Sequence, residues 1–255
     1  MKWPLFLALL IVACSEAPRA SPRGTRIVGH GGMGPDNAFP MNTKEAVMAC
    51  LASGHDGVEV DVQMTKDGAL VCYHAQDLSE LTDRSGFVNA FDLEELEGNC
   101  HYKAATGEHG ILLLDEVLRS LEEDQTVVLD CKLYAAGEWD SYLDDYAAAL
   151  TSLVMNEGGF NTVNVECQVT AFLDKVKAEE SGALIFFYAQ DFATGLATAT
   201  SKGYNGITIN DDLITSAEVK QAQDSALQVA LFGMDSGDEP SVVAKGADLL
   251  QVDEP

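Results

Sequence analysis

Short apolar runs recur along the chain, and most end in polar residues. Residues 26–30, 57–62, 70–74, 127–132, 162–166, 183–188, 206–209, 228–232 and 249–252 have the length and β-branched content of buried strands. Between them the pattern changes to helical spacing. Asn42-Thr43-Lys44-Glu45 carries a capping-box pattern that opens a helix ending near Gly54, and residues 114–122, 139–155 and 169–180 read as further amphipathic helices. Alternation of this kind predicts parallel strands joined by helical crossovers. One pair cannot be parallel. Only a short stretch around Lys66-Asp67-Gly68 separates the strand holding Asp61 from the one ending at His74. A parallel crossover needs a dozen or more residues, so these two form an antiparallel hairpin, which puts His74 roughly opposite Glu59. Eight strands remain, at Val28, Glu59, Leu129, Val165, Phe186, Thr208, Ala230 and Leu250, and they fit a (β/α)8 TIM barrel whose site lies at the C-terminal strand ends. Residues 75–110 lack clear periodicity and read as a lid-like insertion over that face.

The first 25 residues follow a different logic. Lys2 precedes an apolar run over residues 5–13 that is too short to span a bilayer, and Ile11-Val12-Ala13-Cys14 resembles a bacterial lipobox. That resemblance implies a signal peptide over 1–13, lipidation of Cys14, and a flexible tether over 14–25 leading to a barrel over 26–255. An exported lipoprotein anchored at the outer membrane or the periplasmic face is the expectation, with Ser15 matching the pattern of outer-membrane retention. Formal net charge is −26, from 41 acidic against 15 basic residues. No basic stripe exists to neutralise phosphates, which excludes nucleic acid as a partner and leaves the lipid anchor as the only membrane contact. A monomer is expected. Cys50, Cys72, Cys100, Cys131 and Cys167 contain no Cys-x-x-Cys pair, and most sit in strand or helix patterns that bury a thiol as a small hydrophobe.

Candidate chemistry concentrates at strand ends. Side chains alternate along a strand, so Glu59 and Asp61 share one face, as do Asp130 and Lys132. Carboxylates on the buried face of an apolar strand are costly unless a cation meets them. His30 and His74 end neighbouring runs, so a site is the simplest explanation. Glu166 ends another strand and is a further candidate. Asp253 has a similar position and reads as structural, while His55, His101 and His109 read as solvated loop residues. Gly29-x-Gly31-x-x-Gly34 follows a strand as a dinucleotide fingerprint does, but Pro35 and Pro40 stand where that motif needs a helix.

Taken in order, these motifs resemble the glycerophosphodiester phosphodiesterases over nearly the whole chain beyond the tether. His30-Gly31-Gly32 stands for that family's His-Arg-Gly, and Pro40-Met41-Asn42-Thr43 for its Pro-Glu-Asn-Thr. Glu59-Val60-Asp61, Thr65-Lys66-Asp67-Gly68 and His74-Ala75 follow, then Asp130-Cys131-Lys132 where Glu-x-Lys is usual, and a closing strand over 246–253. The resemblance implies that Glu59, Asp61 and Asp130 hold a divalent cation, and hard carboxylate oxygens suit Ca²⁺ or Mg²⁺. It makes His30 and His74 the general acid and base, and Lys132 a charge on the substrate phosphate. Phe232 stands where a tryptophan commonly lines the substrate pocket, and Glu166 is grouped with Lys132 and Phe232 as a substrate contact. The implied reaction converts a small glycerophosphodiester to sn-glycerol 3-phosphate and an alcohol. Cleavage of a phospholipid or another phosphodiester is the alternative within enzymes, and a non-catalytic phosphodiester-binding barrel the alternative outside them. Retention of both histidines separates the two classes, since a receptor needs no acid–base pair. Gly31, Met41, Ala75 and Asp130 depart from the family pattern, at positions of the kind that contact substrate or metal.

Overall fold

The structure, a computed structural model, describes residues 24–253 apart from 36, 105–106, 160–161 and 235–238. Ten strands occur in it: β1 (Arg26–Gly29), β2 (Gly57–Met64), β3 (Leu70–Cys72), β4 (Leu112–Leu113), β5 (Thr126–Cys131), β6 (Thr162–Cys167), β7 (Leu184–Ala189), β8 (Gly206–Asn210), β9 (Gln228–Phe232) and β10 (Leu249–Val252). Eight of them, β1, β2 and β5 to β10, pair in parallel and close on themselves through β1–β10 and β1–β2. This is the (β/α)8 barrel that the alternation predicts. Strand alternation divides β2 as expected: Val58, Val60 and Val62 join the main apolar core, while Glu59 and Asp61 lie between them on the other face. A smaller cluster of Val28, Val128, Phe186, Ala230 and Leu249 packs separately.

The helices are α1 (Lys44–Ala52), α2 (Leu93–Leu96), α3 (Leu114–Ser120), α4 (Tyr142–Glu157), α5 (Thr170–Ala178), α6 (Phe192–Lys202), α7 (Ser216–Asp224) and α8 (Glu239–Val243). The pattern of apolar residues does not reveal α6 and α7, for two reasons. Helix α7 buries only Val219 and Ala222, and its start is set by a capping box between Thr215 and Glu218. Helix α6 is mostly Ala, Thr and Gly, burying Phe192, Gly195 and Ala199, and Gly195 lets it approach β7 closely. A Cβ at that position would stand 2.7 Å from the Ala189 Cβ.

The hairpin forms as predicted, with one correction. β2 and β3 pair antiparallel through Val62↔Cys72, Gln63↔Val71 and Met64↔Leu70, a register that sets Val60, not Glu59, opposite His74. The chain leaves the ladder after Cys72, with Tyr73 N–H still donating to the Asp61 carbonyl at 2.9 Å, so His74 emerges exposed. Residues 75–110 hold a small core of their own, in which Leu78, Val88, Leu96, Cys100 and Tyr102 pack with Val71, Tyr73 and Ala75. Asn89 ties this insertion to the loop after β5, donating to the Ala136 carbonyl at 3.2 Å and accepting from its N–H at 2.8 Å. His109 is no solvated loop residue: it is buried, with Nδ1 3.0 Å from Glu45 on α1. Cys50, Cys72, Cys100, Cys131 and Cys167 are buried free thiols. Cys14 and the segment around it lie outside the described residues. Among the described residues, no helix is long and apolar enough to cross a membrane.

Candidate active site

Parallel register brings the polar residues to one level. Asp61 on β2 pairs with Asp130 on β5, and Asp130 with Glu166 on β6. Glu59, Asp61 and Asp130 each offer a carboxylate oxygen within 4.8 Å of the others, and all three are buried. The Lys132 ammonium sits 2.6 Å from Asp130 Oδ2 and 3.0 Å from Asp61 Oδ1. Burial alone would lower its pKa, but those two carboxylates outweigh burial and raise it, so Lys132 stays charged. Against these three carboxyls stand the Lys132 ammonium and, beside Glu59, the His30 ring that Asp253 also engages, so the cluster is acidic in excess. Glu59 accordingly has its pKa pushed far above the ordinary carboxylate range, by burial first and then by Asp61, against partial relief from His30. Burial also raises Asp130, with Lys132 opposing. A divalent cation would offset that excess, and an all-oxygen, all-carboxylate donor set is the chemistry that Ca²⁺ and Mg²⁺ prefer. The residues present therefore fit a metal.

His30 leaves the end of β1, with its N–H bonded to the Val252 carbonyl at 2.9 Å. Its ring lies between two acids, with Nδ1 2.5 Å from Asp253 Oδ1 and Nε2 4.0 Å from Glu59 Oε2. An ionised carboxylate only accepts, so Nδ1 carries the proton toward Asp253 and Nε2 faces the cluster. Burial lowers the pKa of this ring, but the hydrogen bond to Asp253 and the charges of Glu59, Asp253 and Asp61 overcome that and raise it to about 9. Asp253 is therefore more than the structural residue that its sequence position suggests. Its signal was its place at the end of the last strand, as β1, β2, β5, β6 and β9 also carry candidates at or near their ends.

Asn42 is the second residue that strand patterns missed. It adopts φ +63°, a conformation that Asn tolerates better than most residues. Its side chain clamps β2, donating to Asp61 Oδ2 at 2.6 Å and accepting from the Asp61 N–H at 2.9 Å. Gly31 N–H fixes Glu59 in the same way, at 2.7 Å from Oε2. Gly31 and Met41, two departures from the family motifs, are a matched pair. A Cβ at position 31 would stand 2.5 Å from Met41 Cε, so the methionine fills the space that a side chain there would claim. Glu166 does not present itself to a ligand: it is 2% exposed, and its oxygens are taken by Thr208 Oγ1 at 2.6 Å and by Gln251 Nε2 at 3.1 Å. Burial and the nearby Asp130 push its pKa up to about 7 against the pull of those hydrogen bonds. Phe232 ends β9 with its ring edge-on to Tyr188, the centroids 5.0 Å apart. His74 follows β3 directly after Tyr73, whose N–H bonds the Asp61 carbonyl at 2.9 Å, and is exposed.

The model of the glycerophosphoryl diester phosphodiesterase family matches residues 30–253, which include each of these side chains. The chain belongs to that family. Curated relatives include a glycerophosphodiester phosphodiesterase of Bacillus altitudinis, 35% identical over 112 residues, 43% of this chain and 45% of the relative. One of Caldanaerobacter subterraneus subsp. tengcongensis is 40% identical over 73 residues, 29% of each chain. The aligned stretches thus span less than half the length of these relatives. Solved structures share the fold end to end. A putative family enzyme from Silicibacter pomeroyi superposes with a TM-score of 0.79 over 94% of this chain and 93% of its own, at 19% identity. An Oleispira antarctica phosphodiesterase, solved in complex with the product sn-glycerol-3-phosphate, gives 0.78 over 91% and 94%, at 17% identity.

Within this family member, the contact between His30 and Asp253 makes a specific prediction. Should His30 serve as an acid in this family's reaction, Asp253→Asn, which removes the negative charge beside its ring, is expected to move the alkaline limb of the pH–rate profile to lower pH. Loss of a charge-assisted hydrogen bond, worth roughly 1.5–3 kcal/mol, lowers kcat by about 10- to 100-fold. An unmoved alkaline limb in this variant would return Asp253 to a structural role.

Proposed function

We propose that this protein hydrolyses small glycerophosphodiesters to sn-glycerol 3-phosphate and an alcohol, in a reaction that depends on a divalent metal held by Glu59, Asp61 and Asp130. The observation that carries the reading is the convergence of two imidazoles, three carboxylates and one ammonium at a single barrel mouth. A bound Ca²⁺ or Mg²⁺ supplies charge neutralisation and polarisation of the phosphoryl group. The protein's own groups do the rest. Lys132, held between Asp61 and Asp130, offers a fixed positive charge to the phosphate oxygens as negative charge grows on them. His30, protonated and oriented by Asp253, donates its Nε2 proton to the departing alkoxide. His74, exposed after β3, takes the proton of the nucleophile, either water directly or a glycerol hydroxyl whose cyclic phosphate water then opens. A binding-only barrel has no use for the arrangement of His30 with Asp253, which favours catalysis.

Incubation with glycerophosphocholine and Mg²⁺ or Ca²⁺ tests the reading, with release of sn-glycerol 3-phosphate and choline as the expected result. Release of glycerol and phosphocholine would place cleavage at the other ester bond, and absence of turnover on any glycerophosphodiester would refute the activity. Lys132→Met is expected to cost roughly 2–4 kcal/mol of transition-state stabilisation, as loss of a preorganised charge-stabilising donor does. A change below threefold in kcat/KM would assign that charge to another cation. We also propose that the chain is exported and lipidated at Cys14. Expressed in a bacterial host, the protein should fractionate with membranes, and Cys14→Ser should release it.

A further inference from the structure

Gln63 is the next residue after Glu59 and Asp61 on the same face of β2, and it is 1% exposed. Its Nε2 donates to the Tyr73 carbonyl and to the Ala75 carbonyl, both at 2.8 Å. Two carbonyl acceptors settle which end of the amide points there, since only the NH2 end can donate. Those carbonyls flank His74. Tyr73 and Ala75 are buried, whereas His74 between them is exposed. The strand ladder gives the histidine little hold of its own. The paired register of β2 and β3 ends at Cys72, and the bond from Tyr73 N–H to the Asp61 carbonyl closes it. From there a side chain takes over from the backbone, and one NH2 group pins the segment on either side of the imidazole. The Tyr73 hydroxyl adds a second anchor, donating to the carbonyls of Asp77 and Leu78 at 3.0 and 3.1 Å. Gln63 Oε1 is buried and takes no partner among the described residues. A buried acceptor left unpaired is costly, so what this side chain contributes is its two donors.

We propose that Gln63 is a positioning residue for His74, fixing the backbone on both sides of the imidazole before substrate arrives. The proposal rests on His74 being the proton acceptor of the reaction above. Gln63→Met keeps the length of the side chain and removes both donors. At saturating metal it should lower kcat on glycerophosphocholine by roughly 10- to 100-fold, the scale of a misplacement near 1 Å, with KM within about threefold of native. A double-mutant cycle with His74→Ala decides how the loss arises. A residue that acts through His74 has nothing left to position once the imidazole is gone. Gln63→Met should therefore change the residual kcat of His74→Ala by less than about threefold. An equal loss in both backgrounds would overturn the proposal, assign the effect to Asp61 or to β2 itself, and leave the diesterase activity standing. An unchanged kcat in Gln63→Met alone would overturn it as well. A native kcat in His74→Ala would instead remove the role of His74 on which the proposal rests. Should Gln63→Met not fold, NMR relaxation of the native protein decides. Backbone order parameters at Tyr73, His74 and Ala75 should lie near the ~0.85 of rigid backbone, and a value below about 0.6 at His74 would overturn the proposal.

Discussion

His30→Ala and His74→Ala should each lower kcat by roughly two to four orders of magnitude, the usual worth of a positioned acid or base. The argument differs for the two residues. His30 is held on both sides, by Asp253 at 2.5 Å and beside Glu59 at 4.0 Å, so its removal deletes an oriented proton donor and leaves two acids facing one another. His74 is exposed and stands outside the strand ladder, so its removal deletes a proton acceptor with little effect on packing. Thermal melting should therefore be nearly unchanged in His74→Ala, as for most surface substitutions. Steady-state kinetics on glycerophosphocholine decides the point. A kcat within threefold of native in either variant, with the fold intact, would strip that histidine of its catalytic role.

Chelation should abolish activity, and Mg²⁺ or Ca²⁺ should restore it. The electrostatics of the cluster give this prediction a second readout. Glu59 and Asp130 have their carboxyl pKa values raised above the ordinary range, and Glu166 rises from 4.5 to about 7. Each group binds its proton more tightly in the folded chain than in the unfolded one, so unfolding releases protons. Stability of the metal-free protein should therefore fall as pH rises from about 4.5 to 7, the sign opposite to that of a salt-bridged carboxylate. A divalent cation removes the cause. At saturation one hundred times its Kd, it should stabilise the fold by about 2.7 kcal/mol and raise Tm at neutral pH. Full activity after exhaustive chelation, together with a Tm indifferent to both ions, would exclude a metal at Glu59, Asp61 and Asp130.

The Gly31 and Met41 pair bears on both results. Where the family motif has an arginine, this chain has a glycine at φ +56°, with Met41 in the adjoining space. On the proposed reading the site would draw its positive charge from Lys132, His30 and the metal, and an arginine restored at 31 alone would have to displace Met41. That coupling is invisible in the linear motif, where the two departures lie ten residues apart.

The amino-acid sequence by itself determined the barrel, the hairpin and the set of chemical groups, because each rests on local rules. Alternation along β2 decided that Glu59 and Asp61 share a face, and the shortness of the turn near Asp67 forced β3 to be antiparallel. Only the tertiary structure decided which groups meet. Asp253 reaches His30 from the far end of the chain because closing the barrel pairs β1 with β10, a contact between residues 223 positions apart. Glu166, which ends a strand as Asp130 does, is taken by Thr208 and Gln251 from strands it meets only across the closed barrel. His109 reads as a loop residue until the insertion folds it against Glu45. Helices α6 and α7 carry too few apolar residues to announce themselves, and their ends are set by caps and by close approach to the barrel. Period and spacing act within a few residues of the chain, whereas hydrogen-bond partners and pKa values depend on which strands become neighbours when the sheet closes.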